Sequence, residues 1–222
     1  MELIDISAPL SDDVQDYIPG VTYTRTRPIF TLEQHGVESH EIVLSTLSGT
    51  YFETGRHVRP DAITVDQVPV ETFIGPAVVV DVGVKEPAAP IERSEVERYA
   101  GRIRPGDAVI VRTHWDRMWN TDAYFARSPF FTREAFEWLL EQEIRLLAAD
   151  IPSYDNQASP QGLIRRLFAT GSTFLLAPLV NLARIEQERV TLFAFPLKVK
   201  GVSGAPARVL VSAGRHAGGV RV

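Results

Sequence analysis

Three side chains with complementary acid–base chemistry fall close together in the run Leu47-Ser48-Gly49-Thr50-Tyr51-Phe52-Glu53-Thr54-Gly55-Arg56-His57: the phenol Tyr51, the carboxylate Glu53 and the imidazole His57. A phenol donates a hydrogen bond, a carboxylate accepts a proton, and an imidazole does either near neutral pH. In extended chain Tyr51 and Glu53, two residues apart, point to the same side. His57 lies four beyond Glu53 and shares a pocket with it if the loop curls. The trio then suits proton transfer, with His57 as base or acid and Glu53 orienting it or sharing its proton. Tyr51 would donate to a developing oxyanion. The same spacing is also that of a strand, a turn and three polar surface groups, because short motifs recur by chance.

The trio needs a scaffold to position it. A β-rich run over 41–47 feeds into Ser48-Gly49, where glycine allows a sharp turn or a close backbone approach. Leu3 to Ser7 is a short strand, Tyr17-Ile18-Pro19-Gly20 a turn, and 23–30 a weakly alternating strand. Residues 74–82 and 108–113 are nearly continuous apolar, β-branched runs, as expected of strands buried on both faces. The spacing predicts a short surface helix over 92–99 with Ser94 as its N-cap. A second helix is expected over 133–142, capped by Thr132, with Ala135, Phe136, Leu139 and Leu140 as its apolar face. Residues 144–149 and 173–176 read as strands, 162–169 as a helix carrying Arg165 and Arg166, and 190–197 with 207–212 as a closing strand pair. The alternation of strands and helices without a linker or repeat gives one mixed α/β domain over residues 1–222.

Composition narrows the class. Of 222 residues, 45% are hydrophobic and 23% charged, the balance of a globular protein. A formal charge of -5 argues against nucleic acid or an anionic membrane as partner. The absence of cysteine removes disulfides, thiolate nucleophiles and zinc–thiolate sites together. Met1 to Asp5 has no signal-peptide character, and no apolar run approaches the ~20 residues that span a bilayer. A cytoplasmic protein with a small-molecule substrate is the expectation.

Several pieces resemble one family, the cyclase family that includes bacterial kynurenine formamidase and isatin hydrolase. They are Ile4-Asp5-Ile6-Ser7, Gly49-Thr50 with His57, Gly106 to Thr113, Tyr124-Phe125, Asp150-Ile151-Pro152-Ser153, Leu179-Val180-Asn181-Leu182, and Phe195 to Gly201. The resemblance implies a swivelling β/β/α fold, a homodimer or homotetramer with sites near subunit contacts, and hydrolysis of small amides or lactones.

The departures from that family are at its metal site. The family pattern is His-x-Gly-Thr-His-x-Asp-x-Pro-x-His, whose first two histidines and aspartate hold a divalent cation. Here those positions are Leu47, Tyr51 and Glu53, with Gly55 in place of proline, and only the last histidine is kept, as His57. A later histidine and glutamate of the family fall at Arg165 and Ala177. Leucine and alanine cannot ligate, and a guanidinium is not a neutral donor. Zinc or manganese needs three or four well-placed groups, so no cofactor is expected, with Zn or Mn as the alternative. Arg165, or Arg166 in a register shifted by one, would put fixed positive charge near the vacated position and could grip a carboxylate or enolate bidentately.

His114, Trp115, Tyr124 and Phe125 follow a strand end and could line an apolar pocket for an aromatic substrate. A surface histidine and an oligomer contact explain the same residues. Asp150, Ser153 and Asp155 read as loop-capping groups. Three functions follow: metal-independent acid–base chemistry (cyclisation, dehydration or isomerisation of a small carbonyl compound), metal-dependent hydrolysis of an amide or lactone, or ligand binding without catalysis.

Overall fold

The computed structural model describes residues 2–14 and 24–212, so the turn expected at Tyr17-Ile18-Pro19-Gly20 lies outside the described residues. Among the described residues there are twelve strands: β1 (Leu3–Asp5), β2 (Thr24–Phe30), β3 (Ser39–Leu44), β4 (Tyr51–Glu53), β5 (Ile74–Asp81), β6 (Pro90–Ile91), β7 (Ala108–Arg112), β8 (Phe130–Phe131), β9 (Leu146–Ala149), β10 (Phe174–Ala177), β11 (Arg189–Pro196) and β12 (Gly204–Ser212). Five helices accompany them: α1 (Leu32–His35), α2 (Arg93–Glu97), α3 (Asp122–Ala126), α4 (Arg133–Glu141) and α5 (Leu163–Ala169). Among the described residues no helix is long and apolar enough to cross a membrane.

Eight strands form one sheet in the order β1-β12-β11-β5-β7-β9-β10-β4, and a second pairing of β4 with β12 closes it into a barrel-like wall. The apolar runs at β5 and β7 pair in parallel, Val79 beside Ile110 and Val80 beside Val111, and continue in parallel into β9 and β10. Alternation along each strand divides the core in two. Phe52, Val79, Ile110, Ala148, Leu176, Ala205 and Val209 fill the inside of the wall. Val80, Val111, Leu147, Leu175, Phe136, Leu139 and Phe168 pack between its outer face and the helices. This double burial is why β5, β7 and β9 lack a polar face.

Helix α4 starts as the sequence predicts: the Thr132 hydroxyl accepts from the Ala135 amide at 3.3 Å, and Ala135, Phe136 and Leu139 are buried. The start of α2 differs. Its N-cap is Glu92, whose backbone amide donates to the Glu95 carboxylate at 2.7 Å in a reciprocal capping box, so Ser94 lies inside the helix. The strand expected over 41–47 also differs. It ends at Leu44, where Ser45 and Ser48 form a tight turn with the Ser45 amide on Ser48 Oγ at 3.1 Å. β3 pairs with β2 alone as a separate hairpin, and Tyr51 to Glu53 make a strand of their own.

Candidate functional site

Two features deliver the chain to β4. Gly49 has φ of 58°, the left-handed region that favours glycine, and a Cβ there would lie 2.9 Å from Leu10 and 3.2 Å from the Ala8 carbonyl. The buried Thr50 hydroxyl then donates to the Pro178 carbonyl and accepts from the Ala8 amide, fixing the entry to the strand. β4 is held on both edges: Tyr51 and Glu53 lie opposite Ala177 and Leu175 of β10, and Glu53 lies opposite Gly204 of β12. Gly204 has no room for a side chain, since a Cβ would fall 2.7 Å from the Phe52 carbonyl and 3.4 Å from Glu53 Cβ.

As expected for extended chain, Phe52 points into the barrel while Tyr51 packs on the opposite, helix-covered cluster. Glu53 shares that parity and is buried, 3% exposed. The loop does curl after it. Thr54, buried and bonded to the Ile63 and Ser203 carbonyls at 2.8 and 2.9 Å, caps a single 3-10 turn over Gly55–His57. That turn brings His57 Nδ1 to 2.8 Å from Glu53 Oε1. No well-aligned hydrogen bond reaches this shielded oxygen from another described group, so the imidazole is its close polar neighbour. Hydrogen bonding to Glu53 pushes the His57 pKa up. Burial opposes the shift, the Glu53 charge adds to it, and the Arg165 charge opposes it. With Nδ1 turned to the carboxylate, Nε2 is the nitrogen that can meet a substrate.

α5 forms the other side. Asp155 accepts from the Gln161 amide at 2.6 Å and the Leu163 amide at 2.9 Å, fixing the start of this helix. Its Phe168 ring lies 6.4 Å from the His57 ring. Arg165 acts electrostatically on His57, whereas the neighbouring Arg166 does not join the site: it pairs with Glu137 of α4. Helical geometry separates the two, because adjacent residues point about 100° apart.

The sequence reasoning missed Tyr154. This phenol is 1% exposed and bonds to the Leu147 and Leu176 carbonyls at 3.1 and 3.4 Å. Burial raises its pKa well above the usual tyrosine range, with further contributions from the charges of Tyr51, Asp150 and Glu53. Its signal in the sequence was its place directly after a strand end, in Pro-Ser-Tyr-Asp.

Two residues that the sequence offers as the lining of an aromatic pocket belong to the core instead. Trp115 and Tyr124 are both fully buried core residues. Trp115 Nε1 donates to the Tyr124 carbonyl at 2.9 Å, and the Tyr124 hydroxyl donates to the Asp150 carbonyl at 3.2 Å. Half-buried Phe125 sits beside Tyr124 on α3. His114 adopts φ of 59° after β7 and meets Asp81 of β5 at 3.3 Å, on strands separated from β4 by β9 and β10. Asp150 is a loop cap, as the sequence suggests: it accepts from the Thr113 amide and hydroxyl and from the Trp115 amide. Its burial pushes its pKa up to about 6.

The chain's residues 4–156 match the family profile described as "Putative cyclase". The chain belongs to this cyclase family. It is 26% identical over 212 residues to the kynurenine formamidase of Bacillus cytotoxicus, covering 95% of this chain and 97% of the relative. It is 30% identical over 193 residues to the isatin hydrolase of Roseibium aggregatum, covering 76% of this chain and 72% of that one. Among solved structures, an isatin hydrolase bound to the product analogue thioisatinate superimposes with a TM-score of 0.84 at 25% identity, covering 95% and 91% of the two chains. The α/β fold is that of the family.

The family's divalent cation does not fit the residues of this cyclase. At the positions where the resemblance implies its ligands stand Leu47, Tyr51, Glu53, Arg165 and Ala177, and the strand register puts Ala177 directly across from Tyr51. Among the described residues no group of three histidine, aspartate or glutamate side chains converges as a metal site would require. The guanidinium of Arg165, close enough to oppose His57 protonation, would also repel a cation there.

Proposed function

We propose that this cyclase-family protein is an enzyme that acts on a small carbonyl compound by metal-independent acid–base catalysis. The observation that carries this reading is the buried Glu53 carboxylate, 2.8 Å from His57 Nδ1, in a motif where the family pattern implied by the resemblance has histidines and this chain has Leu47 and Tyr51. Glu53 stabilises the imidazolium. Nε2 of His57 gives a proton to a carbonyl oxygen or leaving group, and the neutral ring takes a proton back later in the cycle. Tyr51, on the same strand as Glu53, donates to oxygen that gains negative charge. Water without a Lewis acid is a poor nucleophile, so cyclisation, dehydration or isomerisation suits these groups better than hydrolysis.

The test is turnover by protein dialysed against chelator and checked by elemental analysis. A panel of isatin, formamides of aromatic amines and enolisable dicarbonyl compounds would be followed by chromatography. Activity should survive metal removal and fall with His57→Ala. Activity that appears only with added zinc or manganese would overturn the reading in favour of metal-dependent hydrolysis, and the names of the relatives, a formamidase and a hydrolase, give the hydrolytic part of that alternative.

We infer further that copies of the chain associate as a homodimer or homotetramer. The β2–β3 hairpin leaves Phe30 44%, Ile42 57% and Val43 52% exposed, and a lone two-stranded hairpin is only marginally stable in water. Light scattering after size exclusion checks this, with a monomer as the contrary result.

A further inference from the structure

We propose that the Glu53–His57 site receives the carboxylate of its substrate on Arg165, making the substrate a carbonyl-bearing monoanion. The inference rests on the acid–base reading of that site and gives it a substrate class. On α5, Arg165 and Phe168 stand three residues apart, the spacing that places side chains on one helix face. The Phe168 ring, buried and 6.4 Å from the imidazole, aims that face at His57. The Arg165 charge is felt there as an opposing cation.

The surrounding arginines differ in their commitments. Arg166 is paired with Glu137, and Arg59 with Asp61 at 2.8 Å. Arg165 is exposed and has no described carboxylate partner. The Arg165 guanidinium keeps its positive charge in either protonation state of His57, and no described carboxylate neutralises it beside a half-buried reaction centre. A carboxylate fits the guanidinium fork bidentately and restores neutrality, whereas a dianion such as phosphate overshoots it. A carboxylate held at Arg165 would put the rest of a small molecule over His57 and Tyr51, where a carbonyl could be protonated.

The experiment is an NMR titration of the His57 imidazole at neutral pH, with the resonance identified through His57→Gln. Benzoate, benzamide and inorganic phosphate serve as the probes on metal-free protein. Benzoate should shift the resonance and saturate, benzamide should not, and phosphate should bind more weakly than benzoate. Arg165→Gln should weaken benzoate at least about tenfold, and Arg165→Lys, which keeps charge but not the fork, about threefold. Arg165 is exposed, so neither variant threatens the fold. Equal response to benzamide, tighter phosphate binding, or benzoate binding indifferent to Arg165→Gln would overturn the carboxylate assignment. Benzoate binding that requires added zinc would overturn the metal-independent reading beneath it.

Discussion

Two histidine–carboxylate pairs occupy different strands of the same wall, and their surroundings give them different chemistry. His57 meets Glu53 at 2.8 Å, and His114 meets Asp81 at 3.3 Å. Asp81 is already saturated: the Arg112 guanidinium grips one oxygen at 2.7 and 3.1 Å, and the Gly83 amide donates to the other at 2.8 Å. Those bonds and the nearby His114 charge hold the Asp81 carboxyl below its ordinary range despite burial. Arg112 also reaches the Leu182 and Ile185 carbonyls, so this group fastens β5 and β7 to the segment after β10. Glu53 has no such fork. A carboxylate whose close partner is an imidazole modulates that ring's proton, whereas one held by arginine and amides is a strut.

The largest contrast should be in turnover. Once the substrate panel yields a reaction, Glu53→Gln and His57→Ala should each lower kcat by about 10²–10⁴, while His114→Ala should leave it within about threefold. Equal losses from both histidines would erase the distinction. Stability should show the reverse. Asp81→Ala leaves Arg112, whose side chain is only 15% exposed, without its carboxylate, and urea denaturation should report a loss of about 3 kcal/mol.

Asp150 offers a similar magnitude with a defined pH signature. Its pKa in the folded chain is about 6, above the ordinary 3.8. Protonation is therefore favoured by folding: the stability it contributes is complete below about pH 4 and lost as pH rises through about 6, a change of about 3 kcal/mol. Asp150→Asn should flatten the stability profile across that window, and an unchanged profile would locate the pH dependence elsewhere. Gly204→Ala should cost about 2 kcal/mol, because its Cβ would fall 2.7 Å from the Phe52 carbonyl. The displaced strand carries Glu53, so kcat should fall further than stability.

The smallest effect belongs to the exposed member of the working pair. The His57 pKa is raised, so its stabilising contribution is full below pH 6.5 and lost as pH passes through the higher folded value. His57→Gln should remove about 1 kcal/mol or less of acid-side stability, because the ring is 40% exposed. A larger loss on the alkaline side would contradict the direction assigned here.

Legibility from sequence followed the reach of each signal. The β5 and β7 runs, the Thr132 cap and the parity of Tyr51 with Glu53 are local consequences of side-chain period and capping chemistry. Trp115 and Tyr124 misled because aromatic composition suits a pocket and a core equally. Only the tertiary fold placed them in the buried cluster that also holds Phe131, Phe136 and Tyr154. Arg165 and Arg166 are indistinguishable as adjacent arginines until α4 supplies Glu137 for one of them.

The amino-acid order by itself determined that this chain carries a phenol, a carboxylate and an imidazole at extended-strand and single-turn spacing. Through the resemblance of its central motif it also determined that leucine and tyrosine, Leu47 and Tyr51, stand where the family pattern has histidines. Side-chain identity and short-range geometry are properties of the covalent chain. Tertiary structure decided which carboxylate was left to a histidine and which was taken by an arginine, because Arg112, which takes Asp81, comes from β7, 31 residues away in sequence, while no described group of that kind reaches Glu53 beside its i+4 neighbour His57. Long-range pairing brings charges together that no local pattern relates, and it sets the burial that shifts their protons.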